Sequence, residues 1–267
     1  MLTSRQLLYR SAFWEIARPR HPLTAGHVLI RLSDPSTEFA HPSAADWLFC
    51  HRLVRAALAD VLGATRCAIM FAHQWHPLGS AIGEPVAESS TPTFHLFGRW
   101  DGETTTPGHQ LSLPAHRRTG EADHDMEATD AALREALRLA RPETALGPGA
   151  EAGAAVGPVA DAGSVADAGP LTGLVRAVDA GPRHTVLEPV RAVHEISEVM
   201  TAELLAIGAA LAALPRSGGA IGFSCVALEG GNSGSPLRIH ALGRSAAEVE
   251  NPLEDFMSSP EVSLALL

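Results

Sequence analysis

Cysteine is scarce in this chain and follows no pattern. The 267 residues include three, Cys50, Cys67 and Cys225, none in a Cys-x-x-Cys spacing. An odd number argues against a disulfide framework, and a reducing cytosol is the compartment this implies. Long apolar runs are also missing. The longest, around Leu204 to Leu214, is too short to span a bilayer. The start, MLTSRQLLYRSAFWEIARPRHP, lacks the apolar centre of a signal peptide. Aromatic residues make up only 5% of the chain, and there is no excess of positive charge, the net value being −10 with histidine neutral. That balance disfavours a protein that coats nucleic acid. The expectation is a soluble, cytoplasmic protein with neither a membrane nor a nucleic-acid partner.

Hydrophobic residues are plentiful at 46%, enough for a sizeable core, and there are 13 histidines. Histidine is the side chain most often used as acid, base, nucleophile and ligand near neutral pH. The clearest break in the chain is ALGPGAEAGAAVGPVADAGSVADAGP, Ala145 to Pro170, which has no large apolar side chain after Leu146. It can bury little and reads as a linker. Just before it, DMEATDAALREALRLAR spaces Met126, Leu133, Leu137 and Ala140 as one helical face, with acids near its start and Arg138 and Arg141 near its end. The implied organisation is a first unit over 1–124, a connecting helix over 125–141, a linker over 145–170 and a second unit over 171–267.

The two units are written alike. The first runs GHVLIRLSDP, a long helix SAADWLFCHRLVRAALADVLG, ATRCAIMFAH, then STPTFHLFGRW. The second runs RHTVLEPVRAVHEIS, a helix EVMTAELLAIGAALAALP, GFSCVALEGG, then SPLRIHALGRS. His27 lines up with His184, Cys67 with Cys225, His95 with His240 and Arg99 with Arg244. Both final stretches alternate polar and apolar residues, as strands with one buried face do, and both end in His-x-x-Gly-Arg. Repetition of this order predicts a duplicated strand, helix, strand, strand unit. Tandem copies can supply what two subunits supply in a symmetric dimer.

AGHVLI, RHTVLEPVRAVHEIS and the two His-x-x-Gly-Arg strands resemble the histidine-triad superfamily, and two copies in one chain resemble its galactose-1-phosphate uridylyltransferase branch. The tail RSAAEVENPLEDFMSS is loosely similar to that branch as well. The resemblance implies an α+β fold: two antiparallel sheet-plus-helix units forming an intramolecular pseudo-dimer. In the family the last strand carries three alternating histidines, and the middle one forms a nucleotidyl-histidine. Here those positions hold Thr91, Thr93 and His95 in the first copy, and Pro236, Arg238 and His240 in the second. Arginine stays protonated and cannot attack; Thr93 could attack only if a base such as His95 took its proton.

The resemblance therefore implies a divergent enzyme acting on a nucleotide, sugar phosphate or other small anionic metabolite. His95 and His240 are candidate acid/base groups, Thr93 a candidate catalytic residue and Arg238 a candidate anion clamp. His95 and His240 can equally be core residues that hydrogen-bond the sheet, and Arg238 can sit at solvent or against an acid. Arg99 and Arg244 read as strand-end caps or surface charges. The turn EGGNSGSP offers Asn232, Ser233 and Ser235 as donors to an anion, or is a plain hairpin turn. FAHQWHP offers Gln74 and Trp75 as a pocket loop, while its His73 and His76 would need His95, His109 or His116 to complete a zinc site. Cys67 and Cys225 read as core thiols. The leading reading calls for no cofactor and no metal and leaves a higher oligomer open. A non-catalytic binding or scaffold protein is the alternative, and a His-ligated metal enzyme a further one.

Overall fold

The structure, a computed structural model, describes residues 7–74, 92–113, 117, 126–140, 173–214, 219–229 and 236–245. The fold is mixed α+β. Among the described residues nine strands form one antiparallel sheet: β1 (Leu7–Arg10), β2 (Trp14–Ala17), β3 (His27–Leu32), β4 (Arg66–His73), β5 (Thr93–Arg99), β6 (Val175–Gly181), β7 (His184–Pro189), β8 (Ala220–Glu229) and β9 (Ile239–Ser245). The helices among the described residues are α1 (His41–Leu62), α2 (Pro107–Ser112), α3 (Met126–Leu139) and α4 (Thr201–Ala213), with a 3-10 turn at Ile196–Glu198.

Across the sheet the order is β1-β2-β3-β5-β4-β8-β9-β7-β6. From β2 inward it reads the same from either end, and the centre is the pairing of β4 with β8. The hydrogen-bond register carries the same symmetry. Leu29 opposes His95 and His95 opposes Met70; Val186 opposes His240 and His240 opposes Val226; Met70 opposes Val226. A pseudo-two-fold axis therefore passes between Met70 and Val226. His27 opposite Phe97 corresponds to His184 opposite Leu242. Cys67 does not correspond to Cys225. Cys67 pairs with Gly98, whose counterpart Gly243 pairs with Phe223, so Phe223 is the equivalent of Cys67 and Cys225 that of Ile69. Sequence spacing alone missed this two-residue offset because either cysteine suits the same buried face.

Alternation along the strands divides the sheet into two apolar faces. One, with Val28, Ile30, Ile69, Leu96, Cys225, Ile239 and Ala241, packs under α1, α3 and α4 in a single core that runs through both halves. In α1 the buried Ala44, Trp47, Leu48, Leu53, Val54, Ala57 and Leu58 recur at helical spacing. Gly63 ends this helix at φ 68°, a left-handed conformation that costs glycine least, with its N–H bonded to the Ala59 carbonyl. α3 is more than a connector: it buries Leu133 and Leu137, and its Asp130 accepts from Arg18 Nε at 2.8 Å. On the opposite face Ala68, Met70, Phe97, Val226 and Leu242 form a second cluster, covered by Leu23 and by Leu111 of α2. That face also carries His95 and His240.

The N-terminal strands β1 and β2, the edge strand β6 and the short α2 have no counterpart in the sequence reading. β9 begins at Ile239, so Arg238 lies just before the strand rather than within it. Leu237 N–H bonds the Val193 carbonyl instead of the β-ladder, and Pro236 has no N–H to give. The linker expected over 145–170 lies outside the described residues.

Candidate functional site

The face opposite the main helix layer holds the same polar device twice. His27 Nε2 lies 3.2 Å from His95 Nδ1, and His184 Nε2 lies 3.0 Å from His240 Nδ1. The strands dictate this. Each couple is set by register: His27 on β3 opposes Phe97, two residues along β5 from His95, and His184 on β7 opposes Leu242, two residues along β9 from His240. β4 and β8 lie between the couples. Three strand spacings of about 4.8 Å separate the His95 and His240 backbones by roughly 14 Å, so they are distinct sites rather than one cluster.

The first couple is sealed. His27 is 0% exposed and His95 2%. Leu23 N–H donates to His27 Nδ1 at 3.2 Å, so that nitrogen carries a lone pair and the ring proton sits on Nε2. His27 Nε2–H then donates to His95 Nδ1, which leaves the His95 proton on Nε2. Phe97 stacks on the His27 ring with centroids 4.2 Å apart, and Arg18 Nη1 donates to the carbonyls of Ala25 and His27 at 2.8 and 2.6 Å. Burial pulls the His95 pKa down to about 3. Burial first, and then His95 and Arg18, hold that of His27 well below its ordinary value. Both rings are neutral near pH 7. A base this weak gives Thr93, half-buried at the start of β5, little help as a nucleophile.

The second couple is more open. His184 is half-buried at the β6–β7 turn, beside Arg183 at φ 62°, while His240 is 2% exposed. Arg238 lies two residues along from His240, with its side chain 43% exposed, and its Nε donates to Glu188 at 2.8 Å. Of the three surroundings open to Arg238 in the sequence, the acidic partner is the one found, together with solvent. Glu188 also accepts from Arg176 at 2.5 Å. Arg176 first, with Arg238 adding, keeps its carboxyl below its ordinary value despite partial burial. One carboxylate between two guanidinium groups leaves a net positive charge. The register-equivalent residues of the first half carry the exchanged pair: Glu15 on β2 bonds Arg31 on β3 at 3.2 Å, and also Arg10.

Other sequence candidates are distributed around this face. Gln74 ends the β4 segment at φ 55°; its carbonyl presses so close to Gly222 that a Cβ there would stand 2.5 Å away. Arg99 and Arg244 are neither caps nor surface charges. They are 4% and 2% exposed; Arg99 pairs with Glu103, and Arg244 Nε donates to Ser224 at 2.8 Å. Both point to the histidine face by strand parity. Trp75, His76, Thr91, His116, Asn232, Ser233 and Ser235 lie outside the described residues. Among the described residues no group of three or more His, Cys, Asp or Glu side chains is disposed to hold a metal. Nor does any described helix have the length and hydropathy to cross a membrane. The three cysteines are buried free thiols; burial pushes Cys50 up to about 12 and Cys67 and Cys225 higher still, as core thiols require.

Sequence reasoning missed a buried ionic cluster on the helix side. The Glu229 carboxylate at the end of β8 accepts from Ile196 N–H at 2.5 Å, with His51 Nε2 at 3.2 Å and Arg55 Nε at 3.6 Å. His51 and Arg55 stand one helical turn apart on α1, a spacing that offered a signal, but only tertiary packing brings Glu229 to them. Trp47, a turn earlier, stacks on His51 at 5.5 Å. The cluster fastens a first-half helix to a second-half strand.

No protein-family model matches the chain, and no curated protein matches it either.

Proposed function

We propose that the chain is a tandem histidine-triad-like protein, an intramolecular pseudo-dimer, and that the face bearing its second histidine couple binds and acts on a small anionic metabolite such as a nucleotide or sugar phosphate. The observation that carries this reading is the repetition of a His–His couple, with His95 and His240 both buried, at equivalent register on both sides of the Met70–Val226 centre. A sheet needs no buried histidine to be stable. Two desolvated polar rings cost free energy that an apolar pair would not, so their recurrence favours a chemical role for at least one couple.

The second couple suits that role better. Arg238 and Arg176 share one carboxylate, so an anion approaching His240 meets excess positive charge, and charge-assisted hydrogen bonds from guanidinium are strong. With Thr93 and Arg238 at the two middle triad positions, the chemistry assigned is proton transfer at His240 rather than a nucleotidyl-histidine intermediate. Hydrolysis, elimination and rearrangement all fit that requirement. Neutral, sealed His95 serves as a hydrogen-bonding element of the fold in this reading.

A thermal-shift screen against nucleotides, sugar nucleotides and phosphorylated metabolites tests it. A ligand at a hundredfold excess over its Kd stabilises the folded state by about 2.7 kcal/mol. The gain should vanish in His240→Gln and Arg238→Ala and persist in His95→Gln. A second reading, a binding or scaffold protein that keeps the fold without catalysis, draws on the Glu188–Arg238 pair, which already gives the guanidinium a carboxylate partner. Ligand binding without turnover, or no stabilisation by any anion, favours that reading.

A further inference from the structure

The first half carries a basic group of its own. Arg10, Glu15 and Arg31 stand side by side, in register, on β1, β2 and β3. Glu15 gives one carboxylate oxygen to Arg10 and the other to Arg31, whose Nη2 and Nε donate at 3.2 and 3.3 Å. The glutamate side chain is 8% exposed, against 17% for Arg31 and 60% for Arg10. Both of its oxygens are therefore taken, yet among the described residues Arg31 Nη1 and Arg10 Nε and Nη1 donate to no protein atom. We infer that Arg31 and Arg10 form a subsite for a phosphoryl oxyanion, separate from the site flanked by Arg238.

The two halves reach the same charge with different residues. In the second half Glu188 lies between Arg176 and Arg238, with the glutamate at the register position where the first half has Arg31. The extra arginine comes from β1, which has no counterpart, in one half and from the residue ahead of β9 in the other. A cross-strand ion pair needs one arginine per carboxylate. A second arginine adds like-charge repulsion that an incoming anion relieves, and this local excess recurs in a chain whose net charge is −10. Guanidinium stays protonated and presents paired N–H groups that match phosphoryl oxygens. Thr93 opposes Arg31 on β5 and places its hydroxyl on the same face. Four strand spacings of about 4.8 Å, roughly 19 Å across the sheet, separate Arg31 from Arg238, so one small ligand cannot span both. His95, two residues from Thr93, is 2% exposed, so an anion here is held and not transformed. Without an imidazole the subsite is the weaker of the two and contributes little stabilisation at ligand concentrations chosen to saturate the second half. The inference does not depend on the chemistry proposed for His240.

The test is an amide NMR titration of the full chain with inorganic phosphate and, separately, with a nucleoside monophosphate, at fixed ionic strength. Phosphate should shift the Arg10, Glu15 and Arg31 amides saturably. Arg31→Gln should weaken that response at least tenfold, and Arg10→Gln, at a mostly exposed residue, at least threefold. A response to phosphate but not to the nucleotide identifies a free anion as the ligand; a response to both identifies a phosphoryl group carried on a larger molecule. The inference is overturned if phosphate leaves these amides unmoved, if chloride at equal ionic strength moves them as far, or if both variants respond as the wild type does. The three residues then serve only as ion pairs that shield the sheet edge. Amides of β7 and β9 read the proposed ligand site in the same spectra. Shifts there without shifts on β1 to β3 sink this subsite alone, and the converse sinks the proposed site alone.

Discussion

Replacing Glu229 with glutamine tests whether the two halves are fastened by charge as well as by the sheet. The carboxylate is fully buried, and its partners are Ile196 N–H, His51 and Arg55. Burial alone would raise its pKa; His51, Arg55 and the Ile196 N–H outweigh that and hold it below the ordinary value. Breaking a buried ion pair from one side costs about 3–5 kcal/mol, because the remaining charge is left uncompensated. Glutamine keeps one acceptor oxygen for Ile196, and Arg55 can turn toward Glu195, now 3.7 Å away, so about 2–3 kcal/mol is expected. For a chain of this size that corresponds to roughly 4–12 °C in Tm. Chemical denaturation and calorimetry measure the loss, and a double-mutant cycle with His51→Gln should return a coupling of at least about 1 kcal/mol. The carboxylate's contribution is fully present above the unfolded pKa of 4.5 and is lost as pH falls through the lower folded value. A Glu229→Gln protein within about 0.5 kcal/mol of wild type would refute the reasoning, since changes of that size are typical of surface sites.

The sealed histidines give a second pH signature. Because the folded pKa of His95 lies near 3, against 6.5 unfolded, stability should fall by about 1.4 kcal/mol per pH unit as pH drops between those values, and His95→Gln should flatten the slope in unfolding titrations. Arg238→Ala should weaken anion stabilisation more than Arg99→Ala, because Arg99 is closed on Glu103; equal effects in isothermal titration would remove Arg238 from the site. Intact-mass analysis after incubation with nucleoside triphosphates and sugar nucleotides should show no nucleotidyl adduct, and a stable adduct on any histidine would restore transferase chemistry. Residues 1–145 expressed alone should aggregate or self-associate. They would expose the β4 edge from Cys67 to His73 that β8 now pairs, and a soluble monomer in sedimentation would show the edge is tolerated.

The sequence alone determined the local elements and the repeat of landmarks. Alternation in Thr93–Arg99 and Ile239–Ser245 specifies strands because side chains change faces at every residue, and this needs no knowledge of neighbours. The spacing of Trp47, Leu48, Leu53, Val54 and Leu58 marks a helix for the same reason. It also singled out His27, His95, His184 and His240, the residues that become two couples. What it could not decide was anything set by a partner distant in the chain. β1 and β2 are four residues each, too short for a period to stand out, and β6 is exposed along most of its length. The offset of Cys67 from Cys225 is invisible without the register of β4 on β5 and of β8 on β9.

Tertiary structure alone decided which charges are compensated. Arg99 and Arg244 look like strand ends in the sequence and are buried in the fold, Arg244 bonded to Ser224 on the neighbouring strand. Arg238 meets Glu188 fifty residues away, and Glu229 meets His51 across 178. Electrostatic partners are chosen by distance in space, and burial multiplies their effect as the local dielectric falls. The same residue types, in the same order, thus became a sealed neutral couple in one half and a half-open, arginine-flanked couple in the other.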